Sequence, residues 1–223
     1  RNVRLGPRLG DYYPVVAGLS EGERVVSRGA FVLDADLQIK GGASMMSAPD
    51  DREARAGDDL VQLSGAELKL LEPVMSAYLA VQRALAADDH AAAKEAAALI
   101  STGIAGVEFD KNARAAEAFK KISSPLGQHA KHVSMSKDIE EARLGFEHLS
   151  HAAADILRVF GNPLPNPVVL AHCPMALGTN GADWIQEGKV IDNSYFGESM
   201  RACGDVVNVV DPGTHLSAAG VLK

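Results

Sequence analysis

With 223 residues, 47% of them hydrophobic, the chain is long enough for one large or two modest domains with a real apolar core. A net charge of −7, an aromatic content of 5% and the lack of any Lys/Arg cluster exclude a basic, aromatic-lined nucleic-acid surface. No apolar run reaches the roughly 18 residues that a bilayer-spanning helix needs.

The chain opens with Arg1-Asn2-Val3-Arg4, without an initiator methionine or a signal peptide's apolar stretch, and is expected to continue something longer. Residues 1 to about 40 alternate as short strands do. Tyr13 to Val16, Arg24 to Ser27 and Phe31 to Leu33 are separated by the turn formers Gly18 to Gly22 and Arg28-Gly29. That is too little sheet to stand alone. The stretch from Gly10 through Tyr13-Pro14-Val15-Val16, Gly22-Glu23-Arg24-Val25-Val26 and Phe31-Val32-Leu33-Asp34 resembles the end of the membrane-proximal β domain of periplasmic adaptor subunits. These are the membrane fusion proteins of RND-type efflux pumps. The following Leu37 to Met46 is similar to the closing segment of the heavy-metal branch, which exports copper and silver. Residues 1–46 are therefore expected to be the end of that β domain. A periplasmic location in an inner-membrane efflux complex is implied. So are an RND pump and an outer-membrane channel as partners of the full-length adaptor, with a metallochaperone as a further one.

Residues 47–63 are charged, small and marked by Pro and Gly, and read as a flexible linker. From Ser64, spaced with Glu67 as a capping box, the period becomes helical, with Leu68, Leu71, Met75, Tyr78 and Leu85 as its apolar stripe. Pro73 either kinks this helix or marks its true start. Asp88 or Asp89 caps a second, alanine-rich helix expected to stop at Gly103 and Gly106. A third runs from about Asp110 to Val133, interrupted at Ser124-Pro125. A fourth follows Asp138 and carries Phe146, Leu149, Ala153, Ile156 and Phe160. The expected fold class is α+β: a short β-rich remnant, a linker, then an antiparallel four-helix bundle with an irregular Cys/Met-bearing C-terminal segment. The helical domain is expected over 64–211, with a tail at 212–223.

Both cysteines lie in that last segment, in His172-Cys173-Pro174-Met175 and Met200-Arg201-Ala202-Cys203-Gly204. If 173–175 is extended, Cys173 and Met175 point one way. If Phe196 to Cys203 is a short helix, Met200 and Cys203 share a face. Thiolate plus thioether is the ligand set that selects cuprous copper, so Cys173, Met175, Met200 and Cys203 are candidate ligands. His172 is a further ligand or an orienting partner, and Trp184, in the intervening loop, a possible cap. The competing reading is a Cys173–Cys203 disulfide with the methionines as core filler.

Cys173-Pro174-Met175-Ala176, Gly181-Ala182-Asp183-Trp184, Ile191 to Gly197 and Met200 to Gly204 together resemble the signature of a helical domain of unknown function. That domain occurs at the C-terminus of some metal-efflux adaptors and as separate secreted bacterial proteins, and the resemblance covers about 65–210. Its members usually carry Asn-Pro-Tyr where this chain has Asn193-Ser194-Tyr195. The resemblance favours copper(I), or silver(I), as the bound metal, with no organic cofactor.

Histidine offers less. His148 and His151 point away from the fourth helix's stripe and read as solvated. His132 flanks the third helix's stripe, whereas His129 falls on it with Phe119, Ile122 and Leu126, as a core histidine or a weaker site candidate. His172 is badly placed as a base for its strand neighbour Cys173, and no phosphate loop or Cys-x-x-Cys-His site occurs. The sequence thus points to a non-catalytic metal-binding part of an efflux adaptor. The alternative is an interaction domain closed by a disulfide.

Overall fold

Ser64 begins the helical part as its spacing requires. Its hydroxyl accepts from Glu67 N, and the Glu67 carboxylate takes Ser64 N at 2.8 Å, a reciprocal cap on α1 (Gly65–Lys69). The computed structural model describes residues 4–5, 15–17, 60–178 and 181–217. The chain divides into two units, Arg1–Asp50 and Asp51–Lys223. In the first, β1 (Arg4–Leu5) pairs antiparallel with β2 (Val15–Ala17). The strands expected at Arg24 to Ser27 and Phe31 to Leu33 lie outside the described residues.

In the second unit, Pro73 marks a true start. It sits in the first turn of α2 (Glu72–Ala86), where its missing N–H has no intrahelical partner to lose. Asp89 then caps α3 (His90–Ala105) through Ala92 N. This helix runs through Gly103 and ends at its C-cap, Gly106, so of the two expected stops only the second terminates it. A methyl group at Gly103 would lie 3.1 Å from Val74 Cγ2 and 3.3 Å from Val74 N, so that glycine serves close approach of α2 and α3 rather than termination. The alanines Ala93, Ala96 and Ala97 bury for the same reason.

Asn112 caps α4 (Ala113–Ser134), which continues through Pro125 instead of breaking, giving up the bond its ring nitrogen cannot donate. Asp138 caps α5 (Ile139–Val159), and Gly161, at φ +90°, ends the run. Phe146, Leu149 and Ile156 are wholly buried, each contributing about 1.5–3 kcal/mol, so the apolar stripe rather than propensity holds α5 in place. Consecutive helices pack on one another from α2 through α5. No described helix is long and apolar enough to cross a membrane.

The C-terminal segment differs from the irregular structure expected. After Pro163, Pro165 and Pro167, β3 (Val168–Cys173), β4 (Ala182–Glu187) and β5 (Asp205–Val210) form an antiparallel sheet in the order β4-β3-β5. The described fold is therefore mixed α+β in a sense the sequence reading missed. Its signal was the β-branched Asp205-Val206-Val207-Asn208-Val209-Val210 and the short apolar run of β3, both overshadowed by the helical period before them. Tyr78 on α2 closes the outer edge of β4. Its hydroxyl accepts from Ile185 N at 3.0 Å and shares a 2.8 Å hydrogen bond with Ser150 on α5. Burial of that phenol pushes its pKa up, so it remains a hydroxyl.

The described end of the expected linker and the start of the expected tail both pack on α5. Val61 is buried, and its N–H bonds Val159 O. Past β5 the chain turns back on α5: Asn162 holds Val210 O and Asn166 O, while Leu216, also buried, donates to Leu157 O.

Candidate metal centre

Strand β3 carries Cys173 at its last position, opposite Ala182 of β4. Alternation puts Ala171, Cys173, Ala182 and Trp184 on one face of the sheet, and His172 and Asp183 on the other. Trp184 is thus a fully buried strand residue, not part of a loop, and its Nε1 donates to Gln186 Oε1. The loop after β4 passes a one-turn 3-10 helix, Gly197–Ser199, and delivers Cys203. The two thiols, thirty positions apart, stand with Sγ–Sγ at 3.3 Å. Both cysteines are free; Cys173 is fully buried and Cys203 partly exposed. The hydrogen bond with Cys173, then burial, push the Cys203 thiol up from its ordinary value.

The methionines are placed less as expected. β3 ends at Cys173, and Ala176 N turns back to Cys173 O, so no extended 173–175 segment aims Met175 alongside the thiol; Met175 is 58% exposed. Met200 follows the 3-10 turn at φ −148°, outside helical geometry, and its carbonyl accepts Cys203 N at 3.0 Å. Met200 and Cys203 therefore close a turn rather than share a helix face. His172 turns its Nδ1 to Asp183 Oδ1 at 2.7 Å, and the His129 ring lies tilted by 31° against His148 of α5 with centroids 5.2 Å apart.

What positions Cys203 is a polar scaffold that residue-by-residue reading missed. Buried Asn193 donates from Nδ2 to Cys203 O at 2.7 Å, while its Oδ1 accepts Tyr195 N and Phe196 N, and its own N–H bonds Arg201 O. Ser194, standing where proline was the expected residue, is buried and tied to α2: it donates to Gln82 O and accepts from Gln82 Nε2. Tyr195 donates to Asp183 O and packs between Phe146 and Trp184.

Arg143 of α5, its side chain only 8% exposed, donates to Ser194 O and Leu85 O and pairs with Asp88. Asp88 in turn accepts Glu198 N at 2.9 Å. Its carboxylate fills the space over Gly197, where a methyl group would lie 2.1 Å from Asp88 Oδ1. A charged residue within the apolar stripe of α5 was the available signal for Arg143.

The Glu198 N–H, then Arg143, hold the Asp88 carboxyl below its ordinary value. A depressed carboxyl contributes stability above its unfolded pKa of about 3.9, and loses it as pH falls through the folded value. Asp88→Asn leaves a largely buried guanidinium with only the exposed Glu140 carboxylate, 3.3 Å away, as its counter-charge. Discounted for the 40% exposure of Asp88, it should cost about 2 kcal/mol at pH 7. Urea midpoints of parent and variant should converge below pH 4; a constant gap would show that the charge is not what matters.

Residues 74–163 match the profile of a family described as "Protein of unknown function (DUF3347)". The match covers less than half of the chain, spans most of α2 to α5, and ends before β3, so the cysteine pair lies beyond it. No curated protein and no solved structure matches the chain.

Proposed function

We propose that this chain is the C-terminal part of a periplasmic adaptor of a heavy-metal RND efflux system, and that its helical unit captures copper(I), or silver(I), at Cys173 and Cys203 for transfer to the pump. The observation that carries the reading is the 3.3 Å approach of the chain's two cysteines from separate elements. Two thiolates on one point are a soft donor pair suited to a cuprous ion. Metal–sulfur bonds of about 2.3 Å on each side require the sulfurs to part slightly. Cys203, partly exposed on a turn, is the one able to move. The thioethers of Met175, exposed on the turn after Cys173, and of Met200, whose carbonyl accepts Cys203 N, would have to swing toward the pair to join it. Stepwise exchange among these sulfurs then passes the ion on. Uptake releases the thiol protons, so affinity falls in acid. The four long helices, joined by short connections and packed in sequence order, are read as an antiparallel bundle that supports this end of the sheet.

The same distance favours a second reading, an interaction domain whose cysteines close as a disulfide. A thiol count on the purified chain separates the two, since a permanent bridge leaves no free thiol and takes up no copper(I). The deciding experiment is an anaerobic copper(I) titration against a competing chelator. Cys203→Ser combined with Met200→Leu should lose affinity by more than the roughly 100-fold that removing an outer-shell partner costs. Equal affinity in parent and variant would end the proposal.

A further inference from the structure

The two thiols are placed to react with each other. Cys173 closes β3 and is fully buried, whereas Cys203 is partly exposed on the turn before β5, and the two free sulfurs stand 3.3 Å apart. A disulfide needs about 2.05 Å, so closure takes a movement of about 1.2 Å. The backbone around the pair is already fixed by contacts that involve neither sulfur. Asn193 holds Cys203 O at 2.7 Å, and Ser194 ties the loop to Gln82 O at 3.0 Å. Gly204 packs so near β3 that a methyl group on it would lie 2.7 Å from His172 O. The loop therefore keeps its place whether the sulfurs are bonded or not, as a pair that opens and closes requires.

We infer that Cys173 and Cys203 are a reversible dithiol–disulfide couple that exchanges with small aliphatic disulfides through Cys203. Access sets the order of the steps, because only Cys203 offers its sulfur to an incoming molecule. The Cys203 thiolate attacks one sulfur of the small disulfide and forms a mixed disulfide. The S–S bond of the reagent breaks, and its first half leaves as a thiol with the proton that Cys203 gave up. Cys173, poised behind, then gives up its own proton and attacks Cys203 Sγ, expelling the second thiol. The chain loses two electrons, the reagent becomes two thiols, and excess thiol runs the same steps backward. A bridge with one sulfur at the surface is of the readily reduced kind. The couple needs only the thiol pair. Its consequence for metal rests on the copper reading above: a bonded sulfur has no thiolate to offer, so the closed form takes up no copper(I).

The test uses the full chain, reduced with dithiothreitol, freed of it, and equilibrated in mixtures of reduced and oxidised glutathione. Free thiols should fall from two to none per chain as the mixture becomes oxidising, and return in dithiothreitol. Trp184, the single tryptophan, shares the sheet face of Cys173 and reaches the side of Gly204. Disulfides quench indole fluorescence on contact, so its emission should fall with the same midpoint. Cys173→Ala, a swap of one small buried group for another, should trap a glutathione adduct on Cys203 that mass measurement detects, whereas native Cys203→Ser should carry none. Two thiols that persist in oxidised glutathione, a bridge that dithiothreitol leaves closed, or an adduct on Cys173 in Cys203→Ser would overturn the couple. Reversible closure in a chain whose reduced form takes up no copper(I) would support the couple and end the metal reading. Copper(I) uptake by a chain that never closes would end the couple and leave the metal reading standing.

Discussion

Asn193→Ala should weaken both the fold and metal uptake, because one buried amide holds three backbone groups at once. Removing it strands Cys203 O, Tyr195 N and Phe196 N, of which Tyr195 N lies in a buried residue. At about 1 kcal/mol for each bond the expected destabilisation is about 3 kcal/mol, readable as a lower urea midpoint. The functional effect follows from the same bond. Asn193 fixes the carbonyl of Cys203 and so the reach of its sulfur toward Cys173. Loss of such an outer-shell partner should lower copper(I) affinity by about 10- to 100-fold. A readout that general destabilisation would not mimic is the rate at which a mild oxidant closes the Cys173–Cys203 pair under native conditions. It should fall in Asn193→Ala. A variant with unchanged urea midpoint and unchanged closing rate would remove Asn193 from the site.

Gly204→Ala should be more damaging still. Gly204 sits at φ +131°, a region that side-chain-bearing residues avoid at a cost of about 1–3 kcal/mol. Its methyl group would lie 2.7 Å from His172 O and 3.0 Å from Trp184 Cη2. The first of these is backbone of the central strand and cannot rotate away. Overpacking adds about 1–3 kcal/mol, for a total of about 3–5 kcal/mol by urea or thermal unfolding. Any variant that still folds must push β5 off β3 beside the cysteines, so the sulfurs separate and copper(I) affinity falls with stability. A Gly204→Ala protein as stable as the parent would mean that the close approach of Gly204 to β3 is unimportant.

Both residues belong to sequence motifs whose importance was visible without their reasons being so. Helix starts were legible because caps are local: Ser64, Asp89 and Asp138 each reach a backbone N–H three residues away. Helix stops were less so, since the role of Gly103 depends on Val74, a residue on another helix. The sheet was missed because each strand has six residues and its pairing is with strands distant in sequence, which no local period reports. Met175 and Met200 were assigned directions from regular local geometry that the chain does not adopt at either place.

By itself the sequence determined the helical stripes, their caps, and that the chain's two thiols occupy short motifs thirty positions apart. These depend on chemistry within a few residues of chain. Only the tertiary structure decided that the thiols meet, that Asn193, Gln82, Arg143 and Asp88 hold the loop that delivers one of them, and that His129 of α4 meets His148 of α5. Each of those is a contact between elements far apart along the chain. Its energy comes from burying polar groups with satisfied partners, and those partners are known only once the helices and strands have packed.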